Sequence, residues 1–206
     1  GYNDASYVED GKLVFTIDEW WGDGNYYGGC EYSKKAFKYG NITARMKGGH
    51  GAKGTVPSFY TYSETDLHDE IDFEFIGNHP GYIWANIFVQ SEMTPDLVDV
   101  TKLVPGYTTL DDAFHNYTIS WMPNVVRWYV DGVLIRSYSD LKSEQWQSVR
   151  LSDWTGCESE WCGEFNSTEK IFFYFDYIEV RTFDWYQICT DNCTGDSYSQ
   201  FNNTQH

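Results

Sequence analysis

The sequence predicts an all-β protein built as a sandwich of two antiparallel sheets, and three observations carry that prediction. Apolar and polar residues alternate with a period of two through about a dozen short runs, the period that sorts side chains onto two faces of a strand. The runs are separated by Gly, Pro and Asp-Gly signals of the kind that turn a chain back on itself. No stretch shows a helical period, apart from a candidate single turn near Leu141 to Gln145. A chain of 206 residues is within the range of a single all-β domain. Residues 1–184 are therefore expected to form one sandwich, and the polar stretch 185–206, rich in Asn, Asp, Ser, Thr and Gln, a peripheral tail.

The elements follow in order. Ser6 to Val8 and Lys12 to Ile17 flank Glu9-Asp10-Gly11, a hairpin signal. Trp20 to Gly29 reads as a loop, and Tyr26 to Ser33 and Tyr39 to Lys47 as strands separated by Lys34-Lys35. The Gly-rich stretch Gly48 to Gly54 lacks the Lys-Ser/Thr pair and following helix of a phosphate loop, so it is a flexible connection. Thr55 to Tyr62 is a strand with Phe59 and Thr61 on one face and Tyr60 and Tyr62 on the other, joined by a short link to the acidic strand Glu70 to Glu74. Tyr82 to Gln90 puts Trp84, Asn86 and Phe88 on one face, and Ser91 to Ala113 then loses all periodicity and reads as a long loop. His115 to Trp121, Val125 to Val130 and Val133 to Tyr138 are strands joined at Met122-Pro123-Asn124 and at Asp131-Gly132. Gln147 to Trp154 and Lys170 to Thr182 complete the pattern.

The stretch His68-Asp69-Glu70-Ile71-Asp72-Phe73-Glu74-Phe75 carries the chemistry. On a strand Glu70, Asp72 and Glu74 share one face while Ile71, Phe73 and Phe75 enter the core. Like charges side by side on one face repel, so the pattern calls for a use; the alternative is a merely solvated acidic face. Residues four apart on a strand are separated by about 13 Å at about 3.3 Å per residue. Two Glu side chains leaning together bring their carboxyls to about 5 or 6 Å, the separation of a pair that cleaves glycosidic bonds with retention. A carboxylate between them can hold a proton on one or position the other, because like charges push pKa values apart.

Composition narrows the partners. A formal charge of -17 excludes surfaces built for nucleic acid or anionic membranes, which need clustered Lys and Arg. Nine Trp and seventeen Tyr supply flat faces on which sugar rings stack, though both are also ordinary strand formers. Five cysteines and the sequons at Asn41, Asn116, Asn166, Asn192 and Asn202 point to a secreted eukaryotic glycoprotein. Cys157 and Cys162 are spaced to clip one loop, as are Cys189 and Cys193, which leaves Cys30 odd; the connectivity stays open. No apolar run is long enough to span a bilayer, and no signal peptide stands at Gly1, as expected of a mature chain.

Asp69-Glu70-Ile71-Asp72-Phe73-Glu74-Phe75-Ile76-Gly77 resembles the active-site strand of the family 16 glycoside hydrolases, in the regular-strand version shared by lichenases and xyloglucan or chitin transglycosylases. The laminarinase branch has an extra residue before the last Glu, which this chain lacks. The resemblance extends through Tyr39-Gly40 to Met46-Lys47, Phe59 to Tyr62, Phe114 to Trp121 and Trp128 to Val133. It implies a concanavalin-like β-jelly roll with substrate across the concave sheet. Trp154-Thr155-Gly156, Trp161-Cys162-Gly163 and Tyr174 to Ile178 are most similar to lichenase, an endo-acting hydrolase of β-1,3-1,4-glucan. Two departures stand against that branch: the loop Ser91 to Ala113 is long, and Ser33 replaces an expected Arg.

Carried over residue by residue, the resemblance implies Glu70 as nucleophile, Glu74 as general acid/base and Asp72 as assisting carboxylate. It implies substrate contacts from Glu31, Tyr60, Tyr62, Trp84, Asn86, Trp154 and Trp161, with a monomer acting on β-glucan and no cofactor needed for catalysis. It also implies a structural calcium held by Asp176 and the carbonyl of Gly11, away from the cleft. The alternative for Asp176 is a strand-end Asp bonded to a turn. The rival functions are a transglycosylase, in which a sugar hydroxyl replaces water, and a non-catalytic lectin-like wall-binding module.

Overall fold

The structure is a computed structural model that describes residues 5–18, 26, 28–48, 53–155, 159–165 and 170–183. Among these residues fourteen strands form two antiparallel sheets around one apolar core, a β-sandwich as expected. The strands are β1 (Ser6–Glu9), β2 (Lys12–Ile17), β3 (Cys30–Phe37), β4 (Gly40–Gly48), β5 (Ser58–Ser63), β6 (Glu70–Glu74) and β7 (Tyr82–Val89). They continue as β8 (Glu92–Met93), β9 (Leu97–Asp99), β10 (His115–Met122), β11 (Asn124–Val130), β12 (Val133–Leu141), β13 (Gln147–Ser152) and β14 (Ile171–Thr182). One sheet runs β1-β2-β14-β4-β10-β11-β12 and the other β3-β13-β5-β6-β7-β8, with β9 also paired to β7.

The two tight hairpins form where Asp-Gly predicts them. Asp10 and Gly11 take φ of 49° and 74°, and Asp131 and Gly132 take 49° and 79°, the left-handed pair that a two-residue hairpin with the natural strand twist requires. Alternation does the rest: Ile71 and Phe73 of β6 and Phe59 and Thr61 of β5 are fully buried. Phe73 stacks on Phe59 at 6.0 Å and meets Tyr117 edge-on at 5.6 Å, which ties the acidic strand to the opposite sheet. Trp128 of β11 donates its Nε1–H to the carbonyl of Asp72 at 2.9 Å, a second fixing of the same strand from behind.

Three local expectations need correction. The strand expected at Tyr26 to Ser33 is Cys30–Phe37, and it includes Lys34-Lys35; as the sheet's edge it is exposed, and charged side chains there keep other strands from adding on. The loop Ser91 to Ala113 contains β8, β9 and a 3-10 turn at Val100–Lys102, which finish the far edge of the sheet against β7. Its periodicity is invisible because the strands are only two and three residues long. No helix forms at Leu141 to Gln145, where β12 runs on to Leu141; among the described residues the one α-helical turn is Ser159–Cys162. Cys157, Cys189, Cys193 and the tail 185–206 lie outside the described residues. No helix among the described residues is long and apolar enough to cross a membrane.

Candidate active site

Cross-strand register sets the site. Glu70, Asp72 and Glu74 of β6 face away from the core, opposite Tyr62, Tyr60 and Ser58 of β5 on one side. On the other side they oppose Phe88, Asn86 and Trp84 of β7. Farther out, Arg150 of β13 pairs Tyr60, and Tyr32 of β3 pairs Arg150, so Tyr32, Arg150, Tyr60, Asp72 and Asn86 form one row across five strands.

The three carboxyls sit in unlike surroundings. Asp72 is 1% exposed, and burial together with the charges of Glu74 and Glu70 pushes its carboxyl well above the usual range. Its Oδ1 accepts the backbone N–H of Asn86 at 2.8 Å. Glu74 is pushed up to about 7, by burial first and by the charge of Glu70 second, against a bond from the Asn86 side-chain amide at 2.5 Å. Glu70 is also raised by burial, but more groups oppose the rise: His68, whose Nε2 lies 2.6 Å from Oε2, then Arg150, then a bond from Asp72. An assembly in which one Glu has several partners that favour its charged form and another keeps a proton near neutrality can run nucleophilic and acid catalysis side by side.

Aromatic side chains border each end. Trp84 meets Trp161 edge-on at 6.3 Å, and Trp154 lies 5.8 Å from Trp161; the three pack on Val56, Ile76 and Cys162 beside Glu74. At the Glu70 end the Arg150 guanidinium lies 4.1 Å from the Tyr62 ring and 5.7 Å from that of Tyr32, and it is ion-paired with Glu64. The Tyr60 phenol, beside Cys30 and Ser152, is pushed up to about 12 by burial. Cys30 is a free thiol.

Six of the seven expected substrate residues, Tyr60, Tyr62, Trp84, Asn86, Trp154 and Trp161, thus gather around the carboxylates. Glu31 does not. It stands in the row of Leu151 and Phe59, whose side chains enter the core, and its Oε1 accepts the Ser6 hydroxyl of β1 at 2.8 Å. The cause is its pairing with Leu151: the irregularity between Ser148 and Arg150 shifts the register by two residues, from Ser148 opposite Ala36 to Arg150 opposite Tyr32, so the alternation of faces along β3 is kept and Glu31 stays on the face of Leu151. Cys30 and Tyr32 take the cleft face instead.

The expected calcium residues do not fit a metal as they stand. The Asp176 Oδ2 is bound by the Arg45 guanidinium at 3.0 Å, so a cation already neutralises it. Among the described residues no group of three His, Cys, Asp or Glu side chains is placed to hold a metal ion.

Sequence reasoning gave no role to His68, Arg150 or Asp153. His68 carried a usable signal, because it lies two residues before Glu70 in the same alternation. Arg150 and Asp153 carried none, since their place depends on how β13 pairs. Asp153 is 2% exposed, accepts the Gly29 N–H through Oδ1, and is pushed up to about 7 by burial.

The profile of the family described as "Glycosyl hydrolases family 16" matches residues 2–179. A beta-glucanase of Fibrobacter succinogenes is 31% identical over 167 residues, which cover 75% of this chain and 46% of that protein. Xyloglucan endotransglucosylase protein 7 of Diospyros kaki is 35% identical over 137 residues, 64% of this chain and 47% of that protein. The chain thus spans about half the length of these curated relatives. A prokaryotic beta-1,3-1,4-glucanase (lichenase) derived from a mouse hindgut metagenome superposes with a TM-score of 0.74 at 26% identity, over 85% of this chain and 82% of that one.

Proposed function

Because this chain belongs to glycosyl hydrolase family 16, we propose that it is a retaining endo-β-glucanase cleaving mixed-linkage β-1,3-1,4-glucan by double displacement, acting outside the cell as a monomer. One observation carries the reading: Glu70 and Glu74 flank Asp72 on one strand face, with Glu70 supported by His68 and Arg150 and Glu74 raised to about 7.

Glu70 attacks the anomeric carbon while Glu74 gives its proton to the departing glycosidic oxygen. Asp72, kept protonated by burial and by its two neighbours, donates to Glu70 and steadies it. Esterification removes the charge of Glu70, which lowers the pKa of Glu74 and turns it from acid to base. Water, deprotonated by Glu74, then attacks the anomeric carbon on the opposite face and configuration is retained. Asn86 holds Glu74 in both steps, and the Trp84, Trp154 and Trp161 cluster offers sugar faces a platform next to it. Every step uses side chains of this chain alone.

The likeness to a xyloglucan endotransglucosylase supports a second reading, in which a sugar hydroxyl takes the place of water. A purely binding module has no use for three adjoining carboxyls in which the charge of Glu70 raises the pKa of both Asp72 and Glu74. Reducing-end release from barley β-glucan, lichenan, xyloglucan and laminarin, with and without a labelled oligosaccharide acceptor, separates these readings. Release from the mixed-linkage glucans alone, with the β-anomer formed first, is expected. Label incorporation without net release would establish the transferase, and inertness towards all four would leave only binding.

A further inference from the structure

The Glu70 end of the cleft contains a stack of planar groups. Arg150 lies over Tyr62 at 4.1 Å, Tyr62 is 5.0 Å from the His68 ring, and His68 stacks on Phe88 at 4.8 Å with 18° between planes. The imidazole is therefore clamped between a strand neighbour on each side, and its Nε2 is directed at Oε2 of Glu70, 2.6 Å away. An ionised carboxylate only accepts hydrogen bonds, so while Glu70 is charged the proton of this bond resides on Nε2.

Resting on the roles given above to Glu70 and Glu74, we propose that His68 is a positioning residue that speeds breakdown of the glycosyl-enzyme by stabilising Glu70 as the leaving carboxylate. Holding Oε2 leaves Oε1 to bond the anomeric carbon. In the second step the water oxygen bonds that carbon, its proton passes to Glu74, and the bond from the anomeric carbon to Oε1 breaks with its electron pair returning to Glu70. The returning charge spreads over both oxygens, and the Nε2–H meets it at Oε2. The same bond makes Glu70 a somewhat weaker nucleophile in the first step. Its net effect is to keep the covalent intermediate short-lived, which favours water over slower-binding acceptors.

His68→Phe tests this, because the phenyl ring keeps the stack with Tyr62 and Phe88 and removes only the N–H. With a nitrophenyl glycoside of a barley β-glucan oligosaccharide, kcat is expected to fall about 10- to 100-fold, the scale of a hydrogen bond to a charged group. KM should fall with it, so that kcat/KM changes less than about threefold, the signature of a slowed second step. Mass spectrometry of the quenched enzyme should then find a glycosyl group on Glu70, and His68→Gln, which restores an N–H donor, should recover most of the rate. Unchanged kinetics, or kcat and kcat/KM falling together with no glycosylated Glu70, would overturn the role of His68. Glu70→Gln measured alongside keeps the two readings apart: an active Glu70→Gln defeats the carboxylate roles themselves, whereas an inactive one with a normal His68→Phe defeats only this inference.

Discussion

The two ends of β6 present the same side chain in opposite company. At Glu70 a histidine, an arginine and an aspartic acid all favour the charged carboxylate and oppose the rise that burial gives it. At Glu74 only the Asn86 amide does so, while the charge of Glu70 adds to burial, and the carboxyl is raised to about 7. The strand therefore does not assign the roles. His68, Arg150 and Asn86 distinguish the two ends, and in the proposed mechanism they convert a symmetric Glu-x-Asp-x-Glu pattern into an acid at one end and a nucleophile at the other.

The most severe test of that asymmetry is Glu70→Gln. Turnover should drop by about 10⁴-fold or more, because the covalent step loses its nucleophile, while calorimetry should still detect glucan binding. The variant should also lower the pKa of Glu74, since the charge that helped raise it is gone, and carboxyl NMR would read that directly. Near-normal turnover would end the assignment.

Glu74→Gln comes next, with a loss of about 10²- to 10⁴-fold on glucan, the usual range for a general acid. In the native enzyme activity should decline as pH rises through about 7, where Glu74 gives up its proton. In the variant that alkaline limb should be absent, and a dinitrophenyl leaving group, which needs no proton, should narrow the loss in the first step. A limb that persists unchanged would mean that another group supplies the proton.

Asp72 distinguishes its own two possible uses. If it serves as a neutral donor to Glu70, Asp72→Asn keeps an N–H in place and costs about tenfold, whereas Asp72→Ala costs on the order of 10²- to 10³-fold. Equal losses in the two variants would show that the carboxylate charge, not the hydrogen bond, is what the site uses.

Much of this contrast was legible in the chain and part of it was not. Alternation places Glu70, Asp72 and Glu74 on one face, and Tyr60, Tyr62 and Asn86 follow from short antiparallel connections, since paired strands joined by brief links share faces. What breaks the symmetry comes from farther away. Arg150 reaches Tyr62 only because β13 pairs with β5, a contact between residues 86 positions or more apart in sequence for the Ser148 to Tyr62 bond beside it. Glu31 was misplaced for the complementary reason. Its face depends on which residue of β13 it opposes, here Leu151, and no periodicity within either strand encodes that pairing. The two- and three-residue strands after Ser91 are too short to show a period at all.

A third carboxyl sharpens the comparison by separating burial from charge. Asp153 is raised to about 7 with burial as the leading cause and no neighbouring carboxylate contributing, and its Oδ2 is buried without a hydrogen-bond partner. A native pKa above the unfolded value of about 3.9 means that the folded state binds the proton more tightly. The resulting stabilisation is fully present below about 3.9, and it is lost progressively as pH rises towards and through about 7. Asp153→Asn keeps the acceptor for the Gly29 N–H and cannot ionise, so it should gain on the native protein as pH rises, by on the order of 1 to 4 kcal/mol between pH 5 and 8.5. Thermal unfolding of the two proteins across that range isolates the effect, because Asp72 and Glu74 titrate in both. Parallel stability curves would mean that burial alone does not raise a carboxyl in this protein. The elevation of Glu74 would then have to come chiefly from Glu70.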